Sequence, residues 1–148
     1  MNIEIEYLKP QHLTYIDEID KLCFHKPWSI DEFKKELENP IASYFVALCN
    51  EKVVAYGGFW WVMFEAEITN IAVHPDFRRN KIASRILDKM IEKCRETGTS
   101  KLHLEVREDN EKAISLYEKY GFKAVGLRKN YYSDNENAIL MTKEIKLN

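Results

Sequence analysis

The sequence predicts a mixed α/β fold, a central and mostly antiparallel sheet of about seven strands with helices on both faces. Three observations carry that prediction. Segments with two-residue alternation and segments with helical spacing interleave in the order β-α-α-β-β-β-α-β-α-β-β. The middle strands are joined by as little as Asn50-Glu51, which implies antiparallel returns, whereas later strands are separated by helices and imply crossovers. The chain of 148 residues, 45% hydrophobic and 31% charged, has ordinary globular composition and is long enough for one domain, 1–148, with its own core.

The elements follow in order. Asn2 to Leu8 alternates, with Ile3, Ile5 and Tyr7 on one side, and stops at Lys9-Pro10. Leu13, Ile16, Ile19, Leu22 and Cys23 give Gln11 to Phe24 the spacing of an amphipathic helix. Ser29 with Glu32 three residues on is a capping-box pattern, opening a helix through Phe33 and Leu37 to Asn39-Pro40. Trp28 just ahead of it is a core anchor or a hydrophobic staple. Ala42 to Cys49 and Lys52 to Phe64 read as paired strands, the second with Gly57-Gly58, where a strand bends or bulges. After Glu65-Ala66-Glu67, Ile68 to Val73 is an apolar strand that breaks at His74-Pro75. Ile82, Ile86, Leu87, Met90, Ile91 and Cys94 form one face of a third helix ended by Gly98. Lys101 to Arg107 alternates, with Leu102, Leu104 and Val106 opposite His103, Glu105 and Arg107. Asp109-Asn110 caps a short helix carrying Ala113, Ile114, Leu116, Tyr117 and Tyr120, stopped by Gly121. Phe122 to Tyr132 and Ala138 to Ile145 read as a closing hairpin.

A net charge of −2 argues against a general nucleic-acid or membrane-surface binder, either of which needs a basic excess. The N-terminus has no basic-then-apolar leader and no apolar run reaches spanning length, so a cytoplasmic protein is expected. Cys23, Cys49 and Cys94 are unpaired in spacing and read as small thiols in a reducing compartment. His12, His25, His74 and His103 lack metal-ligand spacing, so no metal is expected.

The stretch from Ile68 to Ser84, ITNIAVHPDFRRNKIAS, organises the rest. A strand that passes through a basic turn into a helix N-terminus aims backbone N–H groups and a positive dipole end at one spot. That geometry suits an anion, phosphate above all; the plain alternative is an ordinary turn with solvated arginines. On the residues alone, Glu105 reads as a solvated strand carboxylate and Tyr117 as a core aromatic.

IAVHPDFRRNKIAS resembles the cofactor motif of the GNAT superfamily of N-acetyltransferases, with Arg78-Arg79-Asn80-Lys81-Ile82-Ala83 standing where that family has Arg/Gln-x-x-Gly-x-Gly/Ala. LEVREDNEKAISLYEKYGF, Leu104 to Phe122, resembles its second motif. Together with Pro27-Trp28-Ser29 and Asn130-Tyr131-Tyr132 the likeness covers nearly the whole chain and points to the RimI-like branch, which acetylates the N-terminal alanine of a small-subunit ribosomal protein. The resemblance implies a GNAT fold and acetyl-CoA as co-substrate. It implies a pyrophosphate on the amides of Arg78, Arg79, Asn80, Lys81, Ile82, Ala83 and Ser84, and a pantetheine arm along Ile71, Ala72 and Val73. Asn110 and Ala113 complete the cofactor site. Glu105 is implied as general base and Tyr117 as general acid, with a free-phenol pKa near 10. The resemblance implies that the region of Trp28 helps wall the acceptor site; Tyr131 and Tyr132 either close over a peptide N-terminus or merely pack, and Glu65, with Glu67, either attracts the ammonium or is a solvated rim charge.

One departure stands out: Lys81 replaces the first glycine. It either narrows the cradle or supplies an ammonium to the phosphates, and Asn80 beside it tolerates left-handed geometry. The alternatives are a GNAT enzyme for a small amine or a lysine, and a non-catalytic acyl-CoA-binding module. An α-amine with a pKa near 8 is about a tenth neutral at pH 7, whereas a lysine near 10.4 is neutral about 4 times in 10,000, so the first asks far less of a base. A monomer or weak homodimer is expected, acting on a protein N-terminus without direct contact to nucleic acid or membrane.

Overall fold

The computed structural model describes residues 1–146, so the predicted domain span of 1–148 ends two residues outside it. The strands are β1 (Ile3–Tyr7), β2 (Ala42–Cys49), β3 (Lys52–Val62), β4 (Glu65–Val73), β5 (Lys101–Arg107), β6 (Lys123–Arg128) and β7 (Ala138–Glu144). The helices are α1 (Leu13–Cys23), α2 (Ile30–Glu38), α3 (Ile82–Glu96) and α4 (Glu111–Lys119), with short 3-10 turns at Pro10–His12 and Pro75–Phe77. The order matches the one read from the sequence. The seven strands form one mixed sheet in the order β1-β2-β3-β4-β5-β7-β6, with β4 parallel to β5 and antiparallel pairing at β1–β2, β2–β3, β5–β7 and β6–β7.

The chain forms two compact units, the first Met1–Trp60 with Thr69–Glu92, the second Trp61–Ile68 with the residues from Lys93 onward. In the first, Ile16 and Ile19 of α1, Phe33 of α2, Val46 of β2 and Tyr56 of β3 share one core cluster. Phe33 meets the Tyr56 ring edge-on at 5.6 Å, and both are fully buried, each worth about 1.5–3 kcal/mol of transfer free energy. The next residue, Gly57, points to the opposite face, where an added Cβ would meet Met90 and Ile86 of α3. Helices therefore cover both faces. The capping box of α2 forms as read, Ser29 Oγ accepting from Glu32 N–H at 3.2 Å.

Two expectations change. Against β2, Gly57 and Gly58 stay in register opposite Phe45 and Tyr44, and the shift lies instead at Ala47/Leu48. The glycines instead give clearance, since a Cβ on Gly58 would sit 2.1 Å from the Tyr44 ring. β4 also begins at Glu65, earlier than the apolar pattern suggests, because β3 ends at Val62 and turns through Met63, at φ +59°.

In the second unit, Leu102, Leu104 and Val106 are buried on one face of β5 while His103, Glu105 and Arg107 lie half-buried on the other. Glu105 stands opposite Leu140 of β7. Gly98 and Gly121, at φ +72° and +91°, end α3 and α4. Among the described residues no helix is long and apolar enough to cross a membrane.

Candidate active site

The first unit carries the strand–turn–helix. After Val73 the Pro75–Phe77 turn leads to Arg78, and its guanidinium turns back, Nε donating to Val73 O at 3.3 Å and one terminal nitrogen to Cys23 Sγ at 3.4 Å. Asn80 closes the turn with Nδ2 donating to Phe77 O and Arg78 O, both at 3.1 Å. Arg79 and Lys81 both take left-handed backbone, at φ +68° and +59°. The strain therefore sits on either side of Asn80, not on it. A left-handed residue followed by a helical one turns successive N–H groups into one concavity, an anion-binding nest. Lys81 thus keeps the backbone geometry that a glycine adopts freely.

The first i−4 bond of α3 runs from Arg85 N–H to Lys81 O at 3.2 Å, so Ile82 and Ala83 belong to the open amide end of the helix. Arg78, Arg79, Asn80 and Lys81 are exposed; Ala83 and Ser84 are half-buried and Ile82 is buried. On the strand, Ala72 is in the core cluster, while Ile71 points to the α3 face beside Gly57. Trp28 packs on the core, its ring 5.4 Å from Phe33, and its backbone N–H donates to Asp20 Oδ2 at 2.8 Å.

The second unit brings Glu105, Tyr131 and Tyr132 together. Arg128 approaches Glu105 at 3.6 Å and lies over the Tyr131 ring at 5.4 Å. A hydrogen bond to Glu105 is the main reason the Tyr131 hydroxyl is raised above the usual phenol range. The loop between β6 and β7 is pinned to β5. Arg107 donates to both oxygens of Asp134, at 3.1 and 2.7 Å, and to Asp109, and its guanidinium sits 5.0 Å from the centre of the Tyr132 ring. Asn130 N–H donates to Asn137 Oδ1 at 2.9 Å, and Asn137 Nδ2 to Glu108 at 3.1 Å.

Tyr117 is 9% exposed and packs edge-on against Phe122 at 5.5 Å. Burial, and then Tyr132, push its hydroxyl up to about 12, which is a poorer match to a thiol than the free phenol the sequence suggested. Asn110 caps α4, its Oδ1 accepting from Ala113 N–H at 3.2 Å. Glu65 is committed to His103, Oε1 to Nε2 at 2.5 Å, and that hydrogen bond lowers its pKa.

Sequence reasoning passed over Arg128 and Arg107, since strand alternation says nothing about which charges meet across a hairpin. It also missed Asp20, 1% exposed; Leu13, Ile16, Asp20 and Cys23 share one helical stripe, and an acid on that stripe was the available signal. Among the described residues no group of three or more His, Cys, Asp or Glu side chains is placed to hold a metal. A cavity lined by Asn2, Glu4, Leu48, Asn50 and Glu51 contains none of the candidate residues.

Residues 13–122 match the model of the acetyltransferase (GNAT) family. The [ribosomal protein bS18]-alanine N-acetyltransferase of Escherichia coli (strain K12) is 34% identical over 146 residues, which span 97% of this chain and 98% of that protein. The crystal structure of the ribosomal-protein-S18-alanine N-acetyltransferase from Escherichia coli has a TM-score of 0.91 at 32% identity, covering 99% of this chain and 96% of that one. That of Ard1 from Thermoplasma volcanium has a TM-score of 0.93 at 28% identity, covering 99% of both chains.

Proposed function

The chain belongs to the acetyltransferase (GNAT) family, and from that premise we propose that it is an N-terminal protein acetyltransferase. In this reading a single domain spanning 1–148 works in the cytoplasm as a monomer or weak homodimer. It moves acetyl from acetyl-CoA to the α-amine of an N-terminal alanine on a small-subunit ribosomal protein of the bS18 kind. The pairing of Glu105 with Tyr131 on a pinned loop carries the reading, in a chain alike over 97% of its length to a protein named for that reaction.

Acetyl-CoA suits the turn in the first unit. Left-handed backbone at Arg79 and Lys81, the opening amides of α3 and three exposed cations favour a diphosphate there. Ile71, Ala72 and Val73 pair with the pantetheine arm, a backbone N–H near Val73 donates to the thioester oxygen, and Asn110 and Ala113 complete the hold.

The neutral α-amine attacks the thioester carbonyl; an N–C bond forms and the C–S bond breaks. Glu105, directly or through a water, accepts the proton the nitrogen loses. Tyr117 is the residue that the family resemblance assigns to the departing sulfur. With its pKa near 12 against about 8.5 for an ordinary thiol, complete proton transfer is uphill by roughly 5 kcal/mol. Its role is therefore to hydrogen-bond the sulfur as charge develops, the thiolate taking its final proton from solvent.

Mixing the protein with acetyl-CoA and an alanine-initiated peptide should release free thiol, and an N-terminally blocked peptide with an internal lysine should not. Glu105→Gln should lower kcat by about a hundredfold or more. Thiol release from the lysine peptide alone would move the acceptor to a side chain, and an unchanged Glu105→Gln rate would remove that residue as the base.

A further inference from the structure

A buried polar chain in the first unit is left over by this mechanism. Tyr56 Oη donates to Asp20 Oδ1, Trp28 N–H donates to Asp20 Oδ2 at 2.8 Å, and Asn70 Nδ2 donates to Tyr56 Oη at 3.3 Å. The directions follow from the chemistry. Two donors converge on Asp20, the surroundings a carboxylate takes, so the Tyr56 proton is spent on it. The Tyr56 oxygen can then only accept, which forces the Asn70 amide to turn its NH₂ toward it. Asn70 Oδ1 must therefore face the other way, and there it is buried with no hydrogen-bond partner. A buried acceptor without a donor is rare in folded proteins, because the lost hydration is not made up.

We infer that Asn70 is a positioning residue for the acceptor, its Oδ1 receiving an N–H from the peptide's terminal amine. The inference rests on the acetyltransferase reading given above. Asn70 precedes Ile71, Ala72 and Val73 on β4, the stretch assigned to the pantetheine arm. A backbone-paired arm uses the strand's edge, however, and not a side chain on one of its faces. Asn70 reaches Tyr56 on the face of α1 and α2, while Ile71 points toward α3. Through Asp20 the same polar chain holds the backbone of Trp28, the residue that the family resemblance places at the acceptor wall. A neutral carbonyl suits an amine: it fixes the nitrogen through one N–H and leaves its lone pair for the thioester.

The test is steady-state kinetics with acetyl-CoA and an alanine-initiated peptide on wild type, Asn70→Leu and Tyr56→Phe. Asn70→Leu should raise the peptide KM about tenfold while the acetyl-CoA KM stays within about twofold. Tyr56→Phe should move the peptide KM in the same direction by less, because it frees the amide to turn without removing it. Should the leucine variant fail to fold, Asn70→Ser supplies the same comparison, its hydroxyl being too short to reach. A shift in the acetyl-CoA KM instead, or a lower melting temperature with both KM values intact, overturns the inference and assigns Asn70 to the pantetheine or to the core. A wild type that releases no thiol with any free α-amine removes the acetyltransferase reading as well, so the two failures are distinguishable.

Discussion

Replacing Lys81 with glycine removes a Cβ from a backbone held at φ +59°. A side-chain-bearing residue pays roughly 1–2 kcal/mol in that region. Glycine returns about 0.5–1 kcal/mol of this through its greater freedom in the unfolded chain. The net gain is about 0.5–1 kcal/mol, which for a chain of this size raises the melting temperature by roughly 1–4 °C. Lys81→Ala removes the same charge but keeps the Cβ, and should melt within about 1 °C of wild type; the difference between the two variants isolates the backbone. Both lose the ammonium. An exposed ion contact is worth up to about 1 kcal/mol, so coenzyme A should bind both variants up to roughly fivefold more weakly in low-salt calorimetry, with the difference fading as salt is added. A glycine variant that melts below the alanine variant would refute the left-handed turn. Tighter coenzyme A binding by glycine alone would instead show that the lysine crowds the cradle.

The pH dependence of kcat/KM for an alanine peptide should rise with a midpoint near pH 8 as the α-amine loses its proton and level off above about pH 9. Because the Tyr117 hydroxyl is raised to about 12, its proton is retained throughout, so an alkaline descent centred near pH 10 would contradict its burial. Gly58→Ala places a Cβ 2.1 Å from the Tyr44 ring, which must shift and strain its contacts with Glu36 and Thr69; the cost is about 1–3 kcal/mol and roughly 2–12 °C of melting temperature, read by calorimetry, and an unaffected melt would mean the ring lies elsewhere. Asp134 is held down to about 2 mainly by its hydrogen bonds from Arg107, so the loop contact is present above the ordinary carboxylate range and is lost only as pH falls toward 2. Asp134→Ala should speed amide exchange at Asn130 to Tyr132 at pH 7 with little change in melting, and slow, unchanged exchange there would mean the pin is not what orders the loop.

The fold was legible where one physical rule decided the outcome. Apolar periodicity located α1, α3 and β5, and the Ser29–Glu32 pair located the start of α2, because each is a local pattern. The close approach at Gly57 and Gly58 was not legible because its reason lies in partners distant in sequence, Tyr44 and Met90, and glycine in a strand signals a bulge and a close approach equally well. Likewise the Lys81 substitution was visible but its consequence was not. Whether a lysine distorts the turn depends on the φ that the surrounding chain imposes, and it keeps the left-handed value. The pairing of Glu105 with Arg128 required the β6–β7 register to bring Arg128 opposite Ala138 and Glu105 opposite Leu140. No spacing rule supplies that.

That pairing also bears on which amine the site can serve. Glu105 shares its carboxylate with Arg128 and with the Tyr131 hydroxyl, so part of its accepting capacity is already taken. An α-amine of pKa near 8 reaches its neutral form at pH 7 for about 1.4 kcal/mol, whereas a lysine near 10.4 needs about 4.6 kcal/mol. The difference of roughly 3 kcal/mol is about two orders of magnitude in rate. A strong, unshared base is needed to make that up for lysine, while a shared carboxylate suffices when a tenth of the acceptor is neutral on arrival. With Glu105 as the proposed base, its charge partners favour a protein N-terminus over a side chain before any shape of the acceptor site is considered.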